Sequence, residues 1–245
     1  MKKFSDITYC GEQKLDVYIP DGECSRTFLY FHGGGLEAGD KAGAEKFAID
    51  LTERGIAVVS ANYRMYPTAK FPGFIEDAAA AVKWVNTHAP GYGGSDRLFV
   101  GGSSAGGYLS MMLCFAPEYL KAAGVPLSEI AGFIHDAGQP TTHFNVLRER
   151  GIDTKRLIVD EAAPLYHVGT GEAKYPPMLV IVSDNDMPGR YEQTMLLMAT
   201  LKHFGCDEGC ELKVARGKHC AYVKKQDDSG NSVFAEMIIP FLTRN

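Results

Sequence analysis

The chain has no excess of basic charge, no long apolar run and few cysteines, and each of these excludes a class of protein. Its net charge is −5 over 245 residues, so neither nucleic acid nor an anionic membrane surface is expected as a partner. No stretch approaches the roughly 20 apolar residues of a membrane span. Residues 1–13 carry two lysines but no apolar segment of the kind that a secretory signal needs. We therefore expect a cytoplasmic protein.

The six cysteines are spread too thinly for the disulfide framework of a small secreted domain. Cys206 and Cys210 have the spacing of half a zinc site, but the sequence offers no second pair at a suitable spacing. Free thiols are the expectation, and the sequence indicates neither a metal site nor a cofactor.

What is present fits one α/β domain over residues 1–245. Short apolar segments alternate with segments of helical periodicity, which predicts a doubly wound, mostly parallel sheet of about eight strands with helices on both faces. The predicted strands are residues 7–9, 14–19, 26–32, 56–61, 97–100, 130–135, 178–183 and 211–215. The predicted helices are residues 41–54, 75–85, 108–115, 191–204 and 233–242.

Residues 136–177 interrupt this alternation. They are rich in glycine, proline and mixed charges, without a clear strand pattern. Long irregular segments of compact domains are often functional, so we expect this one to form a lid or one wall of a pocket. His135, His143 and His167 lie in or beside it, and packing is the favoured interpretation for each, since a lone histidine specifies little.

A serine turn lies between the predicted strand 97–100 and the helix that follows it. Residues 101–107 read GGSSAGG and contain the pattern GxSxG with Ser104 at its centre. On so sharp a turn the serine hydroxyl is held out from the backbone, and the glycines permit close packing of strand and helix. The pattern alone also occurs in small-residue loops, but its strand-and-helix context predicts Ser104 as a nucleophile.

A serine hydroxyl needs a base to take its proton and a carboxylate to orient that base. His219 is the best-placed histidine, because it follows the last predicted strand in a polar loop. The chain order of serine, acid and histidine points to the loop after strand 178–183 for the acid. Asp184 and Asp186 both stand there, and residue types alone leave the choice between them open.

The glycine run after the third predicted strand suits a site for a developing oxyanion. His32 is followed by Gly33, Gly34 and Gly35, whose backbone N–H groups can point into a cavity without side chains in the way. The run lacks the lysine of a phosphate-binding P-loop and does not open a GxGxxG pattern. Together with the N–H of Ala105, it predicts an anion cradle.

These motifs give the chain a family resemblance that spans most of the sequence. They are LDVYIP at 15–20, FHGGG at 31–35, NYR at 62–64, FP at 71–72, ED at 76–77 and the serine turn. On them the chain resembles the small esterases and lipases of the α/β-hydrolase superfamily, close to the hormone-sensitive-lipase-like and carbohydrate-esterase-like (BD-FAE-type) branch. The residue before the nucleophile is Ser103, where the hormone-sensitive-lipase-like members usually have aspartate, which favours the carbohydrate-esterase-like side. Leu36 stands where an aromatic residue is common, so a differently shaped pocket floor is expected.

The resemblance implies roles for particular residues. It implies Ser104 as nucleophile, His219 as base and Asp186, not Asp184, as the acid that orients it. The oxyanion donors that it implies are Gly34, Gly35 and Ala105.

The activity expected from this resemblance is that of a serine carboxylesterase. Its substrate would be a small-molecule ester of a short-chain acyl group, an aryl group, or an acetylated or feruloylated sugar, hydrolysed through an acyl-enzyme without a cofactor. An arylformamidase-type amidase is the alternative, because the same groups cleave formyl amides. A non-catalytic ligand-binding member of the fold is less favoured, because such proteins typically lack the histidine. The sequence leaves the oligomeric state open.

Overall fold

In the residues that this computed structural model describes, 1–171 and 174–245, eight strands form one sheet. The strands are β1 (Lys2–Cys10), β2 (Gln13–Ile19), β3 (Arg26–Phe31), β4 (Ile56–Ala61), β5 (Leu98–Ser103), β6 (Ile130–Asp136), β7 (Met178–Asn185) and β8 (Cys210–Lys218). Their order is β1-β2-β4-β3-β5-β6-β7-β8. The β1–β2 and β2–β4 pairs are antiparallel, and the remaining pairs are parallel.

Helices cover both faces of this sheet. They are α1 (Glu45–Thr52), α2 (Gly73–Tyr92), α3 (Ala105–Phe115), α4 (Glu118–Ala122), α5 (Phe144–Glu149), α6 (Pro164–His167), α7 (Arg190–His203) and α8 (Val233–Arg244). The apolar residues of α2, α3 and α7 join one core cluster, and those of α1 and α8 join another. The predicted doubly wound, mostly parallel sheet is therefore confirmed.

Successive residues of β3 explain why two cores form. Leu29 and Phe31 belong to the core on the α2 and α3 side, whereas Phe28 and Tyr30 belong to the core on the α1 and α8 side. Side chains alternate between the faces of a strand, so a central strand covered on both faces must be apolar at every position. The continuous apolar run of the third predicted strand has this cause.

Several predicted boundaries differ from the structure, and the short helices α4, α5 and α6 were not predicted. The predicted helix 41–54 begins with a separate 3-10 turn, Lys41–Ala44, which the Asp40 carboxylate caps by accepting the Ala42 N–H at 2.8 Å. The first strand is much longer than residues 7–9, since an edge strand with many exposed side chains carries no apolar signal. Helix α4 has no counterpart among the predicted helices.

The segment 136–177 folds mainly as loops around the short helices α5 and α6, and residues 172–173 within it lie outside the described residues. Residues 139–143 are buried against the body of the protein. Its proposed mobility as a lid stays a prediction. In the described part of the chain, no helix is long and apolar enough to cross a membrane.

Close backbone packing joins β5 and α3 to the end of β3. A Cβ atom on Gly106 would lie 1.9 Å from the carbonyl oxygen of Phe31, and one on Gly102 would lie 2.5 Å from the same oxygen. Neither distance is compatible with a side chain. The two glycines of the GxSxG pattern therefore allow the strand, the turn and the helix to approach each other.

We predict that Gly106→Ala destabilises the protein strongly, because its methyl group would meet backbone that cannot move without shifting β3. The expected loss in the free energy of unfolding, measured by urea denaturation, is about 3 kcal/mol or more. Gly91→Ala is the matched control, since Gly91 is helical with open space around its Cα, and it should gain up to about 1 kcal/mol. Similar stability of the two variants would contradict the packing argument.

Candidate active site

Ser104 occupies a strained turn between β5 and α3. Its φ of 56° and ψ of −111° lie in a region that side-chain-bearing residues seldom adopt. The turn is fixed from behind, because the Ser104 N–H donates to the carbonyl oxygen of Asp136 on β6 at 2.8 Å. Strain of this kind persists where the surrounding structure determines it, and it is concentrated at functional sites.

A hydrogen-bonded chain links the Ser104 hydroxyl to a histidine and a carboxylate. The His219 Nε2 atom lies 2.8 Å from Ser104 Oγ, and the His219 Nδ1 atom lies 2.5 Å from Asp186 Oδ1. The three residues follow the carboxyl ends of β5, β7 and β8, which meet at one edge of the parallel sheet. Open α/β sheets bind their ligands at this edge.

Asp184 and Asp186, between which the residue types alone do not choose the acid, have different hydrogen-bond partners. Asp186 contacts His219, and its side chain is fully buried. It also accepts hydrogen bonds from the Met187 N–H at 2.7 Å and the Ser183 N–H at 3.2 Å. Asp184 is exposed and accepts the Gly217 N–H at 2.8 Å, which fixes the loop just before His219.

Opposing effects act on the ionisation of Asp186. Burial by itself would raise the pKa of this carboxyl, because it disfavours the charged form. The hydrogen bond and the charge of His219, with the two backbone amides, outweigh burial and hold the pKa of Asp186 below its ordinary value. Asp186 is thus an ionised acceptor for the Nδ1 N–H of His219.

The glycine loop after β3 lies beside the serine. Gly34 and Gly35 line the same cavity as Ser104, and both have positive φ, 124° and 66°. The Gly34 carbonyl accepts the N–H groups of Glu37 and Ala38, which closes the loop into a turn. Ala105, the first residue of α3, is buried directly behind Ser104, and the first N–H groups of a helix have no acceptor within the helix.

A further buried carboxylate, which the sequence did not indicate as functional, supports the turn. Asp136 at the end of β6 accepts a hydrogen bond from Ser103 Oγ at 2.5 Å and another from the Tyr222 hydroxyl. Burial raises the pKa of the Asp136 carboxyl to about 6, although both hydrogen bonds and the nearby His219 act in the opposite direction. The feature of the sequence that could have indicated Asp136 is its position at the end of a predicted strand.

Two adjoining cavities open beside these groups. The first, of about 780 Å³, is bounded by Ser104, His219, the glycine loop and the apolar side chains Tyr30, Phe144, Met187 and Val223. The second, of about 490 Å³, shares Phe144 and Met187 with the first. Leu36, where an aromatic residue is common in the family, is fully buried in the core and does not line the first cavity. Phe144 from α5 instead packs against Gly35.

The remaining histidines near the 136–177 segment have packing roles. His135 is fully buried, 2.9 Å from Ser110 Oγ, and His143 caps α5 by accepting the Asn145 N–H. His167 contacts the Glu161 carbonyl oxygen at 2.9 Å. Within residues 1–171 and 174–245, there is no group of three or more histidine, cysteine, aspartate or glutamate residues arranged to hold a metal ion.

Comparison with known families agrees with this geometry. The BD-FAE family model matches residues 15–124, and the model of the prolyl oligopeptidase family matches residues 72–232, which is more than half of the chain. The order of the strands in the sheet and the serine on the turn between β5 and α3 agree with these matches, and the protein is an α/β-hydrolase. Within that class it belongs to the prolyl oligopeptidase family. The resemblance to α/β-hydrolase esterases is confirmed.

Individual relatives carry esterase names. The chain is 30% identical to the probable carboxylic ester hydrolase LipM of Mycobacterium tuberculosis over 74% of its own length and 47% of that protein. It is 36% identical to the carboxylic ester hydrolase LipN of the same organism over 42% of its length and 29% of that protein. It therefore spans less than half the length of these relatives. Esterase 2 of Thermogutta terrifontis, solved after phosphoramylation by tabun, superimposes with a TM-score of 0.78 and 22% identity, covering 99% of this chain and 94% of that one.

We predict that Asp136→Asn removes a pH-dependent loss of stability. The folded-state pKa of about 6 exceeds the ordinary 3.8, so the native state binds the proton more tightly. The stability that Asp136 contributes is fully present below the pKa that it has in the unfolded chain, and it is lost as pH rises through about 6. In urea denaturation, the free energy of unfolding of the variant relative to that of the wild type should rise by about 2 kcal/mol between about pH 4.5 and about pH 7.5. Parallel pH profiles would contradict the assignment.

Proposed function

We propose that the protein is a serine carboxylesterase. The observation that carries the proposal is the hydrogen-bonded chain from Ser104 Oγ through His219 to the buried Asp186, with distances of 2.8 Å and 2.5 Å. This is the arrangement that converts a weakly nucleophilic hydroxyl into an attacking group. The esterase names of the relatives and of the solved structures support ester hydrolysis as the reaction.

In the first half of the reaction, Ser104 Oγ attacks the ester carbonyl carbon while His219 Nε2 takes the hydroxyl proton. The imidazolium that forms donates its Nδ1 N–H to Asp186, whose lowered pKa keeps it negatively charged. The carbonyl oxygen becomes an oxyanion, for which the N–H groups of Gly34, Gly35 and Ala105 are the proposed donors. Preorganised donors of this kind stabilise the transition state at little reorganisation cost.

In the second half, the tetrahedral intermediate expels the alcohol, which receives the proton from His219 Nε2. The acyl group remains on Ser104 Oγ as an ester. Water then loses a proton to His219 and attacks the acyl carbon, and collapse of that intermediate returns the proton to Ser104 and releases the carboxylic acid. The cycle consumes one water and needs no cofactor.

The first cavity favours small substrates. A volume of about 780 Å³ lies within the range typical of small-molecule sites. Tyr30, Phe144 and Val223 offer apolar contact, whereas Glu37 and Asp40 offer acceptors for hydroxyl groups. Short-chain acyl or aryl esters and acetylated or feruloylated sugars are therefore the proposed substrates, with residues 136–177 supplying one wall through Phe144.

We predict that Ser104→Ala lowers kcat/KM for 4-nitrophenyl acetate by about 10⁴-fold or more, since the nucleophile is removed. Near-ultraviolet circular dichroism should show an unchanged fold. A fluorophosphonate probe should label the wild type and spare the variant. Appreciable activity in a folded Ser104→Ala protein, or an unlabelled wild type, would refute the serine mechanism, and the second result would favour a non-catalytic binding protein.

We also predict that the neighbouring aspartates respond differently to the same substitution. Asp186→Asn should lower kcat by about 10²- to 10⁴-fold, because an amide no longer holds the His219 tautomer or stabilises its charge. Asp184→Asn should cost less than about fivefold, since its oxygen can still accept the Gly217 N–H. Steady-state kinetics on both variants provide the measurement. The reverse order of effects would transfer the acid role to Asp184.

An arylformamidase-type amidase remains the alternative within the same chemistry. The proposed groups would cleave a formyl amide by the same steps, with an amine leaving in place of the alcohol. Phenyl acetate and formanilide assayed side by side distinguish the two. A kcat/KM that is higher for formanilide would replace the esterase proposal.

A further inference from the structure

The second cavity lies beside the proposed catalytic groups but contains none of them. Phe144 and Met187 form the boundary that it shares with the first cavity, and Met187 directly follows Asp186 in the chain. Its remaining wall comes from α7, from Pro188 in the loop just before α7 and from the 136–177 segment. The residues of that wall are Gln139, Thr154, Lys155, Arg156, Leu157, Pro188, Arg190 and Gln193.

Arg190 is the buried member of this wall. It is only 4% exposed, and its guanidinium donates to the Ala137 carbonyl and, at 3.3 Å, to Gln139 Oε1. Both acceptors are neutral. Its Nε atom is buried without a hydrogen-bond partner, and Asp186, whose charge acts on it, is already paired with His219. A buried cation without an ion pair is costly.

The other cations of the wall are also uncompensated. Lys155 and Arg156 are exposed at the cavity, and neither forms an ion pair among the described residues. Other arginines of the same segment behave differently, since Arg148 pairs with Glu37, and Arg150 pairs with Asp160 and Glu161. Aspartate and glutamate are absent from the described lining of this cavity, so its charged lining residues are all cations.

We propose that this second cavity binds a carboxylate carried by the far end of the ester substrate. A carboxylate there would supply the counter-charge that the described residues leave missing near Arg190, and arginine suits carboxylates because its donors form a planar fork. Lys155 and Arg156 attract the anion at the cavity mouth. The inference rests on the proposed esterase function and narrows its substrate class to esters of acidic compounds.

Matched substrate pairs test this inference on both sides of the ester. Mono-4-nitrophenyl adipate and 4-nitrophenyl hexanoate differ by a carboxylate on the acyl side, and 3-acetoxybenzoate and 3-acetoxybenzamide differ by one on the alcohol side. In one pair the wild-type kcat/KM for the charged ester should exceed that for the neutral ester by about tenfold or more. The ratio should fall toward unity in about 0.5 M sodium chloride, because salt screens the exposed cations.

Variants assign the effect to the cavity. The double variant Lys155→Gln, Arg156→Gln should lower the charged-to-neutral ratio by about three- to tenfold. Arg190→Lys, which keeps the charge, should retain more of the ratio than Arg190→Gln. Lys202→Gln is the control, because Lys202 is an exposed cation at the far end of α7, the helix that begins with Arg190. It should leave the ratio at its wild-type value. A ratio near one in both pairs, or one that the double variant leaves intact, would overturn the inference.

A binding measurement separates this inference from the esterase proposal. Ser104→Ala protein, titrated calorimetrically with 3-acetoxybenzoate, 3-acetoxybenzamide and adipate, should bind at least one carboxylate about tenfold more tightly than the amide. Addition of the Lys155→Gln, Arg156→Gln pair should reduce that difference by about three- to tenfold. Carboxylate binding without hydrolysis of any ester would refute the esterase proposal alone. Hydrolysis of neutral esters without carboxylate preference in binding or rate would refute the cavity assignment alone.

Discussion

The site depends on backbone packing that leaves no room for side chains. Gly102 and Gly106 pack on the carbonyl oxygen of Phe31, and a Cβ atom on Gly107 would lie 2.4 Å from the carbonyl oxygen of Asp136. The ends of β3, β5 and β6 are thereby locked to the start of α3. Since the glycine loop continues from β3 and Ser104 from β5, this packing fixes the distance between the proposed nucleophile and the proposed oxyanion donors before any side chain takes part.

Two carboxyl groups with buried side chains lie near His219, and their environments shift their pKa values in opposite directions. Asp186 pairs with the imidazole and receives two backbone amides, so its pKa is lowered. Asp136 receives two hydroxyl donors, and burial raises its pKa to about 6. In the proposed mechanism, Asp186 must stay ionised beside the imidazolium of His219, and it is the carboxyl whose pKa is lowered. Asp136 instead fixes Ser103 through its carboxylate and Ser104 through its backbone carbonyl.

The sequence predicted what local pattern and strand order determine. Alternating apolar segments specify the sheet, and the carboxyl ends of parallel strands bring Ser104, Asp186 and His219 to one edge. Contacts between distant side chains leave no local pattern, and so the hydrogen bond between Tyr222 and Asp136, 86 residues apart, was missed. The burial of Leu36 was equally unpredicted, because no local pattern indicates its positive φ of 62° or its place in the core.

The distribution of charge between the two cavities favours one orientation of the proposed substrate. The first cavity mixes Glu37 and Asp40 with Lys224 around the reacting groups, whereas the second presents cations alone among its described lining residues. A negative group is therefore favoured beyond Phe144 and Met187 and is less favoured near Asp40. Since the charge of the buried Arg190 is weakly screened, this asymmetry would orient the proposed acidic ester before its carbonyl carbon meets Ser104. Residues 136–177 supply both the aromatic side chain Phe144 at the boundary and two of the cations, so in the proposed mode of binding this insertion determines which end of the substrate is held.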